Sequence, residues 1–316
     1  MKQLTVNSLL PIRLDKYLME EFPALSVGRL NKALRENKIK LNGKKQPLST
    51  RVQVGDQIKL FIPDAQLGLV DPEGPAFLRC PFPAKVVYED EYLLIANKPA
   101  GLPVDDEGDG DSLISRVMLH LYNKGEFNPD KDFAPHLCHR LDTGTSGLVL
   151  VAKTSETLDL LTRLIRDRSI KKEYLCVTFG RPRPEAATLT GYLAKDAKLG
   201  HVQIFENARP DAKPIETRYE TLAVSGRLAL LRVELITGRT HQIRAHMASI
   251  GCPILGDSKY GNNSANRELK LKYQALCAWR LTFPTLSFPQ LAGISGKTFR
   301  VEQPWYCAQV REGKLK

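Results

Sequence analysis

The chain has 316 residues, 42% hydrophobic and 26% charged, with 46 basic against 35 acidic side chains for a net charge of +11. That length can bury a substantial core without staples, and the composition excludes collagen-like, mucin-like and wholly disordered chains. No run approaches the length of a transmembrane helix, the N-terminus lacks the apolar stretch of a signal peptide, and the 6 cysteines form no CxxC pair, so a cytoplasmic protein with reduced thiols is expected.

The positive charge is concentrated at the start. Residues 1–62 hold twelve Lys/Arg and five Asp/Glu, an excess of seven; the remainder supplies 34 minus 30, or four. A small basic module on a near-balanced larger part suggests a polyanion-binding appendage, with a merely solubilising surface as the plainer alternative. Leu14, Tyr17, Leu18 and Phe22 recur at helical spacing, and Pro23 closes that helix. Ser26 suits the N-cap of a second helix, with Leu25 and Leu30 placed for a hydrophobic staple. On that helix Val27, Leu30, Ala33 and Leu34 share one face, and Arg29, Lys32, Arg35 and Lys38 cover the other. A short strand leads to an Asn42-Gly43 hairpin turn, and Ile58, Leu60 and Ile62 alternate as a further strand. Residues 63–84 carry five prolines and two glycines without a period and read as a linker.

From Lys85 the texture changes. KVVYEDEYLLIANKPAG reads as two strands and a loop, and further strands are expected at 146–153, 173–180 and 228–236. Helical runs fall at 112–123, 155–167 and 240–251. The last places Ile243, Met247 and Ile250 on a buried face, with Arg244 at its edge. The order lacks regular βαβ alternation. It predicts an α+β domain over 85–316, on a mainly antiparallel mixed sheet with flanking helices. The C-terminal REGKLK reads as a tail.

The segment HRLDTGTSGLVLVAKT, residues 139–154, is the most informative for chemistry. Turn residues from Thr143 to Gly147 would hold Asp142 on a tight loop beside a strand. A carboxylate there, near Arg140, suits a nucleophile or general base; an Asx-turn carboxylate bonding its own backbone fits the spacing as well. Metal readings fail. Asp105, Glu107, Asp109 and Gly110 stand at EF-hand-like offsets, but the twelfth position is Arg116. His136/His139 and His241/His246 lack the zincin pattern, and no phosphate-binding glycine loop is present.

Two resemblances organise these segments. RLDKYL and ALSVGRLNKALRENKIKLNGK resemble the αL RNA-binding module of a small-subunit ribosomal protein. HRLDTGTSGL resembles the signature of the RluA-type RNA pseudouridine synthases. LIANKPAGLPV (94–104), KKEYLCVTFG (171–180), ITGRTHQIRAHMASIGCPILGDSKYG (236–261) and QALCAWRLTFP (274–284) agree with that family in order and spacing. The loop after LPV departs from it by reading DDEGDGD.

The second resemblance implies isomerisation of uridine within RNA. The N1–C1′ bond is broken, the uracil rotates and a C5–C1′ bond is made, with no cofactor or metal. It implies Asp142 as the catalytic carboxylate, Arg244 as its guanidinium partner and Tyr174 as a stacking face that assists proton removal. Arg140 would fill the gap left by the flipped base, and Leu276 would pack against that base. Arg239 is placed for RNA phosphate, as are Arg29, Lys32, Arg35 and Lys38 by the first resemblance. Plainer roles remain open: a salt bridge for Arg140, a phosphate contact for Arg244, core positions for Tyr174 and Leu276. Large-subunit ribosomal RNA is the first expected substrate and transfer RNA the second, for a monomer acting away from membranes. An idle RNA-binding assembly factor would not need the intact Asp142, Tyr174 and Arg244. A carboxylate hydrolase would need a second paired carboxylate or a nucleophile elbow.

Overall fold

The helical spacing of Leu14, Tyr17 and Leu18 buries all three on helix α1 (Leu14–Glu21), in a computed structural model that describes residues 2–8, 10–68, 74–105, 110–196 and 200–315. The chain divides into one unit within residues 1–78 and a second from Arg79 onward. In the first, strands β1 (Lys2–Thr5), β3 (Ile39–Leu41) and β5 (Gln57–Leu60) form a sheet in the order β1-β5-β3, and β2 (Ile12–Arg13) pairs with β4 (Arg51–Val52). The Ser26 hydroxyl caps α2 (Val27–Arg35) by accepting the Arg29 N–H at 3.3 Å. Asn42 and Gly43, at φ 50 and 77, make the hairpin turn, which asks for two successive left-handed residues.

Three expectations change here. Asn37 turns left-handed at φ 58 and ends α2 at Arg35, so Lys38 leaves the basic helix face and pairs with Glu36 at 2.6 Å. Val27 is exposed rather than part of the buried face. The stretch 63–84 carries 3-10 turns at Asp64–Leu67 and Ala76–Arg79. Leu67 is buried in the first unit's core, and the Ala84 N–H donates to the Arg116 carbonyl of the second unit at 2.9 Å.

The second unit contains β6 (Val86–Glu89), β7 (Leu93–Lys98), α3 (Leu113–Asn123), β8 (His136–Leu137), β9 (Ser146–Ala152), α4 (Ser155–Arg166), β10 (Lys171–Phe179), β11 (Ala186–Asp196) and β12 (His201–Phe205). Then come β13 (Lys213–Ser225), β14 (Leu228–Leu235), α5 (Gln242–Ser249), α6 (Asn263–Glu268), β15 (Leu276–Thr282), β16 (Thr298–Arg300) and α7 (Trp305–Arg311). Its described strands form one eleven-stranded sheet, with the path β12-β11-β13-β14-β10-β15-β9-β7-β6, β16 beside β15 and β8 beside β9. The β15–β9 pairing is parallel and the others are antiparallel, so the sheet is the mainly antiparallel mixed sheet expected. No described helix is long and apolar enough to cross a membrane.

Leu93, Ile95, Leu148, Leu150, Leu175 and Val177 build the core with Tyr306, Cys307 and Val310 of α7. Leu315, in the segment read as a tail, is buried against them. The long strands β11 and β13 have no counterpart among the sequence expectations. β11 runs mostly between exposed and half-buried residues, and β13 buries only Ile215, Thr217, Tyr219 and Ser225, two of them polar, among exposed and half-buried neighbours, so neither carries the apolar run that marks a covered strand.

At the parallel pairing, Gly147 lies opposite Ala278. Its φ is 111, and a Cβ there would stand 2.2 Å from the Ala278 carbonyl oxygen. Gly147→Ala is therefore expected to cost roughly 3 kcal/mol or more and to lower the melting temperature by about 6–12 °C. A calorimetric scan showing an unchanged midpoint would contradict this packing.

Candidate active site

Asp142 sits on a loop tied down from several sides. His139 Nε2 accepts the Leu150 N–H at 3.1 Å, anchoring the loop's start to β9. The Thr145 N–H donates to the Asp142 carbonyl at 2.9 Å, closing a turn, and Gln274 Nε2 donates to Thr145 Oγ1 at 3.0 Å. The Thr143 carbonyl accepts from the Gly101 N–H at 2.7 Å and from Lys98 Nζ at 3.1 Å. Lys98 is fully buried and also donates to the carbonyls of Pro99 and Leu102 at 2.9 and 2.7 Å. Burial pushes this lysine down to about 8, against the opposing charge of Asp142. One ammonium thus laces the loop after β7 to the loop before β9.

Arg244 meets the Asp142 side chain from α5. Its Nη1 donates to Asp142 Oδ2 at 2.7 Å, while Nε and Nη2 form a bidentate pair with Asp257 at 2.7 and 2.9 Å. Asp257 is fully buried, and its Oδ1 also accepts the N–H groups of Lys259 and Tyr260 at 2.8 and 3.1 Å. Burial acts to raise the Asp257 carboxyl, but the hydrogen bonds and charge of Arg244 outweigh it and hold the group below its usual range. Burial acts to lower the Arg244 guanidinium, and the two carboxylates more than reverse it. With two donors fixed on Asp257, the planar fork has one edge left, and that edge points at Asp142.

The helix carrying Arg244 differs from expectation. Gln242 through Met247 are all buried, whereas Ile250 is 37% exposed. Arg244 is therefore an interior residue, not one at the edge of an apolar face. Polar bonds make such burial tolerable. Gln242 Nε2 donates to the Glu216 carbonyl and Thr217 Oγ1 at 3.0 and 2.9 Å, and its Oε1 accepts from Thr237 Oγ1 and the Arg239 N–H at 2.8 and 3.1 Å.

His241 opens α5 in the left-handed region, at φ 55. The Tyr260 hydroxyl oxygen accepts the Val202 N–H at 2.9 Å, which leaves its proton for His241 Nδ1 at 3.0 Å. The neutral imidazole then carries its own proton on Nε2, 3.9 Å from Asp142 Oδ1. Burial lowers the His241 pKa against the pull of Asp142, in keeping with that neutral form.

Asp142 lines a cleft of about 1140 Å³ together with Tyr174, Arg244, Leu276, Arg140 and Arg239. Tyr174 and Leu276 are buried in its wall, and Arg140 and Arg239 are exposed on it. Burial first, and the Asp142 charge second, raise the Tyr174 hydroxyl above its usual range. Among the described residues, eight lysine and arginine side chains line the cleft against two carboxylates, Asp105 and Asp142. That balance suits a polyanionic ligand. Arg29, Lys32, Arg35 and Lys38 belong to the first unit, where Arg29 Nη1 donates to the Ala24 carbonyl at 2.7 Å. Most of the acidic stretch at 105–111 lies outside the described residues.

The sequence carries no sign of Lys98, Asp257 or Tyr260 as site residues, and offers His241 only in a His241/His246 pair that lacks a metal-binding pattern. All four fall inside the motif segments, and only the fold shows which of them converge. Asp257→Asn keeps the shape but loosens the bidentate clamp. It is expected to lower kcat by about 10- to 100-fold, the loss of one charged hydrogen-bonded pair, with KM changed by less than about threefold. Steady-state kinetics in which only KM moves would contradict a clamp that acts through Arg244.

Comparison with known proteins gives a consistent result. The profile of a family described as RNA pseudouridylate synthase matches residues 92–249. An uncharacterized RNA pseudouridine synthase of Mycoplasma pneumoniae is 31% identical over 309 residues, spanning 95% of this chain and 94% of the relative. A protein of Rickettsia bellii named ribosomal large subunit pseudouridine synthase C is 34% identical over 275 residues, 82% of this chain and 86% of the relative. Among solved structures, human RNA pseudouridylate synthase domain containing 4 superposes with a TM-score of 0.58 at 24% identity, covering 73% of this chain and 94% of that one. The last likeness speaks to the fold.

Proposed function

We propose, from the premise that this chain belongs to the RNA pseudouridylate synthase family, that Asp142 is the carboxylate on which its isomerisation of uridine in RNA turns. The observation that carries this reading is the Asp257–Arg244–Asp142 bridge within a basic cleft. When the N1–C1′ bond breaks, its electron pair leaves with the uracil and positive charge develops at C1′. A carboxylate beside the ribose stabilises that charge. Arg244 fixes the orientation of Asp142 without needing to move during the reaction. The rotated uracil then bonds C1′ through C5, gives up the C5 proton, and takes a proton at N1. Atoms balance without oxidant, reductant or water.

Tyr174 and Leu276, both in the cleft wall, suit the two faces of a uracil flipped into the site. The Tyr174 hydroxyl accepts no charge readily, since its pKa is raised, so it acts as a donor or stacking surface until the base is bound. Arg140 on the exposed wall is placed to occupy the vacated stack, and Arg239 to meet phosphate. Ribosomal RNA of the large subunit is the substrate class we favour, because relatives named for that activity align over 82% and 81% of this chain. Residues 1–62 serve as a second RNA contact, supported by their excess of seven positive charges and the Arg29, Lys32 and Arg35 side of α2.

The test uses RNA tritiated at C5 of uracil. Wild-type protein is expected to release tritium without strand cleavage, and Asp142→Asn to release none while binding RNA within about threefold of wild type. A variant within about tenfold of the wild-type rate, some 1.4 kcal/mol of barrier, would remove Asp142 from the reaction. Pseudouridine mapping in cells lacking the gene identifies the RNA; an unchanged large-subunit map would exclude the favoured substrate.

A further inference from the structure

Lys172 is a buried cation whose charge the described contacts leave unanswered. It is only 8% exposed, and no oxygen among the described residues accepts from its Nζ, although it lines the cleft. Other buried cations here are satisfied. Lys98 has three carbonyls, and Arg244 has two carboxylates. The surroundings of Lys172 offer no substitute. Its Nζ faces the turn after β14, where a Cβ placed on Gly238 would stand 3.5 Å away. His139, close enough to feel its charge, is driven by burial to about 3 and is neutral, and its Nε2 already accepts from the Leu150 N–H. Leu281 is its neighbour on β15. Its ammonium is not sealed in, since it opens on the solvent of the cleft, but the rest of the side chain is buried and no described protein oxygen pairs with it, and burial lowers its pKa accordingly.

The strand indicates which part of a ligand would answer it. Lys172 and Tyr174 are two apart on β10, so both face the cleft, about 7 Å from each other along the strand. Tyr174 lies within the field of Asp142, where base and ribose react. Lys172 is displaced from there toward Gly238 and the exposed Arg239. Beyond the sugar, the next acceptor of a nucleotide is its phosphate, which is also its charged group. We propose that Lys172 pairs with an RNA backbone phosphate flanking the target uridine, so that a charge no described protein group answers is paired when the nucleotide is seated. This inference rests on the reading of the cleft as a uridine site. It adds a specific phosphate subsite inside the cleft, distinct from the exposed arginines.

The experiment compares wild type, Lys172→Met and Lys172→Arg as full-length proteins, on one C5-tritiated hairpin of large-subunit ribosomal RNA. Filter binding across a salt series and tritium release are read separately. Lys172→Met is expected to make the log K against log salt slope shallower by about 0.7–0.9, one phosphate contact. It should raise KM by about tenfold or more, with kcat within about threefold. Its melting temperature without RNA should be no lower than that of wild type, since a partly desolvated charge without a protein partner has been removed. Lys172→Arg should restore the slope. Parallel slopes for wild type and Lys172→Met would overturn the proposal, including the case in which Lys172 contacts a neutral uracil carbonyl. So would a loss confined to kcat, or a lowered melting temperature at an unchanged slope. If wild type releases no tritium, the functional reading fails, and the binding slopes still decide whether Lys172 holds a phosphate.

Discussion

A single guanidinium, Arg244, holds two carboxylates that come from distant parts of the chain. Asp142 precedes β9, Arg244 lies on α5, and Asp257 belongs to the loop after it. Asp257 is fully buried and the Arg244 side chain nearly so, whereas the Asp142 side chain is 24% exposed. The gradient gives each its part. The buried pair is expensive to desolvate and is retained only with close geometry and further bonds, here the Lys259 and Tyr260 N–H groups. Once formed, it cannot rotate, so the remaining edge of Arg244 presents a fixed cation to the exposed carboxylate. A flexible lysine could neutralise Asp142 but could not aim it.

The sheet supplies the frame for this bridge. β14, β10, β15 and β9 are neighbours, and the cleft takes residues from or beside all four: Leu235, Tyr174, Leu276 and the Asp142 loop. Gly147 at the β9–β15 pairing lets the two strands approach closely just after that loop. Gln242 ties the turn after β14 to β13, and Lys98 ties the loop after β7 to Thr143. Backbone carbonyls and side-chain amides, more than apolar packing, therefore set the positions of the reacting groups. The site is placed by polar bonds on a sheet whose core is apolar.

Much of this was legible in the sequence, for reasons that differ by element. Helices α1, α3 and α4 carry clear helical periodicity, Ser26 caps α2, and Asn42-Gly43 marks its turn unambiguously. Asp142, Tyr174, Arg244 and Leu276 stand in motif segments, and the fold brings them to one cleft. The partner of Arg244 was not legible, because Asp257 is 13 positions away in a loop and looks like any loop carboxylate. Periodicity, which counts apolar residues, puts Arg244 at the edge of an apolar face, whereas α5 is buried on all sides and hydrogen bonds bury its polar Gln242, Arg244 and His246 as well. β11 and β13 carry no legible apolar period, because β11 runs mostly between exposed and half-buried side chains and two of the four buried residues of β13, Thr217 and Ser225, are polar. Angular spacing puts Lys38 on the basic face of α2, because it does not reveal where Asn37 ends the helix.

The central claim is that Asp257 acts on the reaction only by holding Arg244 against Asp142. A double-mutant cycle of Asp257→Asn and Arg244→Lys, read as the single-turnover rate of tritium release from saturating RNA, tests it most directly. If the clamp is one unit, the double variant is no more than about threefold slower than Arg244→Lys alone, because the fork that Asp257 orients is already gone. Losses that multiply would show that Asp257 and Arg244 contribute independently, and would contradict the account.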